Sequence, residues 1–204
     1  MISDESIATV ERFWAADLGC TVAELRGDEV VATRHDGNIF IFSLRGAIVA
    51  LPSALPAERV VGPAFVGYAD GATFVGGDEA GARSLGDADG EAVAALRDAC
   101  EPWAWQHGGP SAAAMAVGVF RGDTLAALAS YKLWGDRIAH IAIVTHPAHR
   151  GRGLGKAAVS AIARIALARG LVAQYRTLCA NTPSMAIARA LGFQRFATTL
   201  AIRG

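Results

Sequence analysis

The chain has 204 residues, and its nineteen basic and nineteen acidic side chains cancel to a formal charge of zero. Charge this balanced argues against a surface built to coat nucleic acid or an anionic membrane, and no apolar run approaches the ~18 residues needed to span a bilayer. Cys20, Cys100 and Cys179 are widely spaced and form no Cys-x-x-Cys pair, so they read as reduced thiols and not as a disulfide framework or a metal site. The N-terminal residues include Asp4 and Glu5 where a signal peptide would carry bases, so a cytoplasmic protein is expected.

Residues 4–18 predict a helix with Ile7, Val10, Phe13, Trp14 and Leu18 on its inward face and Gly19 beyond its end. Residues 29–33, 38–44 and 47–51 predict three strands, the last two a hairpin turning at Arg45-Gly46, with Pro52 and Pro56 closing the unit. A helix and three strands make a marginal core alone. Residues 1–66 are therefore expected to form a small N-terminal α/β subdomain, of no assigned role, packed on residues 67–204.

The glycine-rich residues 67–77 read as one edge strand, and residues 91–100 as a helix with Val93, Leu96 and Cys100 on one face, capped by Asp87 or Asp89. Residues 101–109 read as a loop. Its Trp103 and Trp105 suit an aromatic wall for a substrate, and equally a hydrophobic plug under a loop. Residues 112–120 and 124–134 then predict two strands of a meander.

The most informative stretch follows. Ile138, Ile141, Ile143 and Val144 make an apolar strand that Pro147 must end. Arg150, Gly151, Arg152, Gly153, Leu154, Gly155 and Lys156 lead into a helix with Lys156, Ser160 and Arg164 on one face and Leu154, Ala158, Ala161, Ile162 and Ile165 on another. A strand, a glycine loop and a helix N-terminus make an anion site, because unpaired N–H groups and the positive helix end converge there. Arg150, Arg152 and Lys156 add formal charge. The loop is not a P-loop, since Arg150 stands where that motif has glycine and Ala157 follows Lys156; it also lacks the spacing and the acid of the dinucleotide fingerprint. Residues 171–180 predict the next strand. Thr182 is then expected to cap a helix with Pro183 in its first turn and Gly192 past its end, and Phe196, Thr198, Leu200 and Ile202 alternate as a last strand.

Arg150-x-x-Gly153-x-Gly155, preceded by an apolar strand and His146-Pro147, resembles the acetyl-CoA pyrophosphate loop of the GNAT N-acetyltransferase superfamily. The stretch from Asn181 to Leu191-Gly192-Phe193 resembles that family's Asn-led loop, its following helix and its Leu-Gly-Phe ending. The resemblance covers residues 67–204. It implies an α/β (α+β) fold with a mixed, mostly antiparallel central sheet flanked by helices, and direct acetyl transfer from acetyl-CoA to a small amine or a peptide N-terminus. It further implies that Ile143, Val144 and Thr145 run along the pantetheine arm, that residues 150–156 hold the pyrophosphate and that Asn181 bonds the arm. Backbone N–H groups of Val144 or Thr145 would meet the oxyanion. No metal, nucleic acid or membrane is implied, and a homodimer is compatible with the family.

The chain also departs from the pattern. Ala188 stands where the family carries its thiol-protonating tyrosine. Ser184, one turn earlier on the same face, is the candidate replacement, against the plainer alternative that it orders the helix's first turn; Tyr131 and Tyr175 are fallback donors. Relatives often carry a base at positions matching Ala139 or Ile141. His140, the candidate base, falls between them and so is expected on the other face unless a bulge shifts the register. Trp103, Trp105 and Tyr131 are the candidate acceptor contacts. The rival class is a non-catalytic acyl-CoA-binding module that keeps the same loop.

Overall fold

A computed structural model describes residues 1–34, 39–43, 47–51, 59–111 and 115–203. The Arg45-Gly46 turn, Pro52, Pro56 and residues 112–114 lie outside these. Helix α1 (Asp4–Leu18) begins with the Ser3 hydroxyl accepting from the Ser6 N–H and ends at Gly19 in the left-handed region. Asp70 accepts from the Ser3 N–H at 2.7 Å and so fastens the helix start to the sheet. A short helix α2 (Val22–Arg26) follows. Its sequence signal, which the strand-rich surroundings mask, is the Thr21-x-x-Glu24 capping box. Arg26 pairs at 2.6 Å with the buried Glu11 of α1.

Strands β1 (Val30–Arg34), β2 (Ile39–Ser43) and β3 (Ala47–Leu51) include the expected β2–β3 hairpin, with β1 added parallel to β3. Next come β4 (Arg59–Ala69), β5 (Ala82–Ser84), α3 (Gly90–Ala99), α4 (Pro102–Gly108), β6 (Met115–Arg121), β7 (Thr124–Trp134) and β8 (Ile138–Thr145). The chain finishes with α5 (Leu154–Ala168), β9 (Val172–Leu178), α6 (Thr182–Ala190) and β10 (Gln194–Arg203).

Four local expectations are corrected. The strand expected at an edge in residues 67–77 is β4, which begins earlier and lies centrally between β10 and β9. Gly62-Pro63 hides it by breaking the apolar alternation, and the sheet absorbs the proline at a register shift between Thr199 and Ala201 of β10. Residues 101–109 form α4 in place of a loop, with Pro102 in the first turn, where its missing N–H costs no helix bond. Asn181, not Thr182, caps α6, its Oδ1 accepting from the Ser184 N–H at 3.2 Å. At the expected cap of α3, Asp89 instead engages Arg83 and the Gly86 N–H.

The sheet order is β1-β3-β2-β10-β4-β9-β8-β7-β6-β5, antiparallel except at β1–β3 and β8–β9. This is the mixed, mostly antiparallel sheet flanked by helices that the resemblance implied. Helices α5 and α6 cover one face, over Ala139, Ile141, Tyr175 and Phe193. Helix α1 covers the other face over Phe42, Tyr68 and Ile138, and α3 covers it farther along over Leu125, Leu128 and Val144.

The loop between β4 and β5 straps the helical face. Val75 N–H donates to the Leu191 carbonyl, Gly77 N–H donates to Ser160 Oγ, and Glu79 accepts from Ser160 and Arg164. Where this strap crosses the end of α6, Gly192 has φ +83, and a Cβ there would sit 2.0 Å from the Thr73 carbonyl oxygen. Left-handed strain and overpacking add, so Gly192→Ala should lower unfolding free energy by about 2–4 kcal/mol in urea titrations. An unchanged midpoint would show that the strap yields freely.

Candidate functional site

The sheet consists of two antiparallel halves joined by a short parallel seam. β8 keeps β7 as partner as far as Thr145↔Ala127, and β9 keeps β4 as far as Leu178↔Ala64. β8 and β9 pair with each other only from Ile138↔Val172 to Ile141↔Tyr175. Each strand then follows its own half, and the twist of the sheet opens a slot between them. The His146 N–H donates to the Ala126 carbonyl, which sets the phase of the β7–β8 ladder: Ala142 and Val144 turn their backbone groups to β7, and Ile143 and Thr145 turn theirs to the slot. Of the two N–H groups expected to meet an oxyanion, that of Val144 is therefore committed to β7, and that of Thr145 faces the slot.

A cradle opens at the end of the slot. Pro147–His149 forms one turn of 3-10 helix, after which Gly151 and Gly153 adopt φ of 76 and 78, and an added Cβ on either would meet nothing within 4 Å. Gly153 is the N-cap of α5 and has no side chain to satisfy the helix's first N–H groups. Among the described residues no acid pairs with Arg150, Arg152 or Lys156. Open backbone donors, unpaired cations and space fit an anion such as a pyrophosphate. Leu154 by contrast is buried core. Helix α5 hugs the slot closely: a Cβ on Gly155 would lie 2.9 Å from Thr145 Oγ1 and 3.6 Å from Ile187 of α6. Burial pushes the Cys100 thiol up in pKa while the Arg150 charge pulls it back, which puts the end of α3 beside the cradle.

β8 runs without a bulge, so its side chains alternate strictly. Ala139 and Ile141 are core under α5, whereas His140 looks to the opposite face. Its ring stacks on Trp134 at 4.0 Å, and its Nδ1 lies 2.6 Å from Gln174 Oε1. Gln174 Nε2 donates to the Tyr68 hydroxyl, which also accepts from Trp14 Nε1 at 2.7 Å. Burial, with Lys132 and Arg176 adding to it and Gln174 opposing, lowers His140 to about 4. The imidazole is therefore neutral at pH 7. With Gln174 Oε1 as acceptor, Nδ1 carries the proton and Nε2 keeps its lone pair.

The remaining predicted residues are scattered. Asn181 is exposed at the α6 cap, and with its oxygen committed to Ser184 N–H its Nδ2 is left to donate. Ser184 is half-buried in the first turn, and Ala188 is fully buried below it. On α4, Trp103 is 67% exposed while Trp105 packs into the cluster around Leu96 and Val144, so the two do not form one wall. Tyr131 is buried under α5 and accepts from Arg169 at 2.8 Å, at the end of that helix remote from the cradle. Gly108 was not anticipated: a Cβ there would fall 2.2 Å from the Ile143 carbonyl oxygen, so α4 closes directly on the slot's edge. Gln174 was also missed, although a glutamine directly after the apolar Val172-Ala173 start of a strand is itself a signal of a buried polar network.

The imidazole gives a pH test. An unfolded histidine titrates near 6.5 and His140 near 4. Between these values the unfolded chain holds the extra proton, so stability falls as pH drops through that window, by up to about 3 kcal/mol, and is unaffected above it. His140→Gln should flatten the dependence of unfolding free energy on pH there; equal slopes for both proteins would mean that His140 is not held neutral.

Comparison with known proteins bears on this geometry. Residues 85–193, more than half of the chain, match the acetyltransferase (GNAT) family. No curated protein matches. Among solved structures, a GNAT-family protein of Novosphingobium aromaticivorans is 27% identical, with a TM-score of 0.59 over 84% of this chain and 77% of its own. A GCN5-related N-acetyltransferase of Kribbella flavida is 23% identical, with a TM-score of 0.53 over 72% of this chain and 61% of its own. An acetyltransferase of Colwellia psychrerythraea shares the fold at 14% identity and a TM-score of 0.55, over 72% and 57% of the two chains.

Proposed function

This chain belongs to the GNAT family of acetyltransferases, and from that premise we propose that it moves an acetyl group from acetyl-CoA directly to a primary amine, on a small molecule or a peptide N-terminus. The observation that carries the proposal is the slot: backbone groups of Ile143 and Thr145 that have no strand partner among the described residues, leading to a cationic glycine cradle. Exposed backbone donors and acceptors of this kind call for an extended, amide-bearing ligand.

Acetyl-CoA supplies the activated thioester. Gly151, Gly153 and the first N–H groups of α5 hold its pyrophosphate, with Arg150, Arg152 and Lys156 neutralising charge and Leu154 anchoring the helix in the core. Ile143 and Thr145 pair with the pantetheine arm, and Asn181 Nδ2 bonds it from the α6 side. The Thr145 N–H polarises the acetyl carbonyl. Without a bulge in β8, His140 stays on the side of the sheet opposite α5, held by Trp134 and Gln174, so the amine loses its proton through a water chain and positioning carries the step. Trp103, exposed on α4, lines the amine's approach, with Trp105 holding α4 against β8. Ser184 stands at the α6 side of the slot, where the sulfur leaves. Three free cysteines suit a reducing, cytoplasmic setting. No described helix is long and apolar enough to cross a membrane.

The decisive test is thiol release from acetyl-CoA across amines, amino acids, polyamines, aminoglycosides and peptides. Release that depends on one acceptor class is expected. If none releases thiol while acetyl-CoA still raises the melting temperature, the chain is a binding module. Gly153→Glu, which puts a side chain and a negative charge into the cradle, should abolish calorimetric binding of CoA in a protein that still melts cooperatively. Unchanged affinity would remove the pyrophosphate assignment.

A further inference from the structure

We propose that the acceptor is an α-amino amide, seated on a row of small residues, Ala116, Ser130 and Ala142, with the Ser130 hydroxyl bonding its amide group while its uncharged amine reaches up the slot. This rests on the acetyl-transfer reading above and names the acceptor of the same slot. On the face of the sheet opposite α5, the α1 cluster extends to Ile138 and Trp134, and the α3 cluster begins at Leu128 and Val144. Between them the register partners Ala116, Ser130 and Ala142 belong to neither cluster. Ala116 and Ala142 are half-buried, whereas Leu128 and Val144 are covered. Ala142 is the first residue of β8 beyond the seam, so the row ends on the slot.

Ser130 gives the row a polar centre. It is 2% exposed and its hydroxyl has no hydrogen-bond partner among the described residues, yet it is not one of the sealed orphan atoms, which belong to Thr33, His149 and Tyr175. The hydroxyl therefore keeps a narrow opening onto the row. A group so placed is costly until something bonds it. Thr145 lies three residues, about 10 Å, farther along β8. A hydrogen bond of ~3 Å at the amide, the width of an α-amino amide and an attack distance of ~3.3 Å fill that span. A simple alkyl amine has nothing to place at Ser130.

The surroundings carry the wrong sign for an ammonium. Strands β6, β7, β8 and β9 contain no aspartate or glutamate. The charges that act on His140, beside the row, are Lys132 and Arg176. Helix α4 has no acid, and Glu101 before it is exposed. Asp98 of α3 pairs with Arg97, Glu11 of α1 pairs with Arg26, and Asp17 of α1 acts on Tyr68. The acceptor must arrive as free base. An α-amine titrates near 8 and an alkyl amine near 10.4, so at pH 7 the α-amine supplies roughly 10²-fold more of it. The C–N bond then forms as the C–S bond breaks; the nitrogen's surplus proton leaves through water, and the thiolate takes one from water.

The test is thiol release from acetyl-CoA with glycinamide, trialanine, n-propylamine and Nα-acetyllysine amide. At pH 7, kcat/KM for the first two should exceed that for the alkyl amines by roughly 10²-fold, rising with pH until each acceptor's own amine is deprotonated. Either order of glycinamide and trialanine supports the proposal, and the order tells a small-molecule acceptor from a peptide N-terminus. Ser130→Ala should raise KM for glycinamide about 10-fold while leaving n-propylamine turnover, CoA affinity and melting temperature unchanged. Alkyl amines that match or outrun glycinamide overturn the proposal and leave the transferase reading standing. So does a Ser130→Ala variant that slows every acceptor alike, or none. If CoA binds and no amine releases thiol, or if CoA does not bind, both proposals fall together.

Discussion

The parallel pairing of β8 with β9 stops after Ile141↔Tyr175, and the rest of the molecule is arranged around that interruption. Both strands continue beyond it, each held by an antiparallel neighbour that does not let go: β7 for β8 and β4 for β9. Closing the slot would mean untwisting one half of the sheet or giving up those pairs. Leaving it open leaves backbone groups of Ile143 and Thr145 facing a gap in which no strand among the described residues satisfies them. The fold stores an unmet hydrogen-bonding demand at one place, and the glycine cradle of residues 150–156 lies at its mouth. A ligand that is extended, rich in amides and anionic at one end answers both.

The two faces of the seam carry different chemistry, and strict alternation along β8 and β9 is the cause. On the α1 side, Trp14, Tyr68, Gln174 and His140 form a connected buried polar chain, every link of which removes a desolvation cost that the next would otherwise bear. The N-terminal helix thus has a defined contact with β8 and β9: its Trp14 indole fixes the phenol that fixes the glutamine that orients the imidazole. On the α5 side the environment is apolar, with Tyr175 packed among Ala139, Ile141, Ala188 and Phe193.

The cradle works by what it lacks. Gly151 and Gly153 occupy left-handed conformations in open space, α5 starts without a side-chain cap, and three cations stand near it without acidic partners among the described residues. On the slot's flanks the glycines do the opposite. Gly155 and Gly108 are places where a single methyl group would strike Thr145 or the Ile143 carbonyl, so the walls are set by backbone contact.

The amino-acid sequence by itself determined the anion loop, the order of the last seven elements, the absence of the usual tyrosine and the candidacy of His140. Those are local matters: glycine spacing, periodicity and residue identity are written along the chain and need no partner to be read. It did not reveal that β4 is central, because Gly62-Pro63 breaks the pattern and only β10 shows how the proline is absorbed. Nor did it show that residues 101–109 form a helix whose two tryptophans diverge, or that Tyr131 is tied to Arg169 away from the site. Only the tertiary structure decided which face each tyrosine takes, which N–H of β8 turns away from β7 and what holds the imidazole neutral. Each depends on ladder phase, on the face a residue takes or on a partner far along the chain, and these are fixed when strands pair and helices dock.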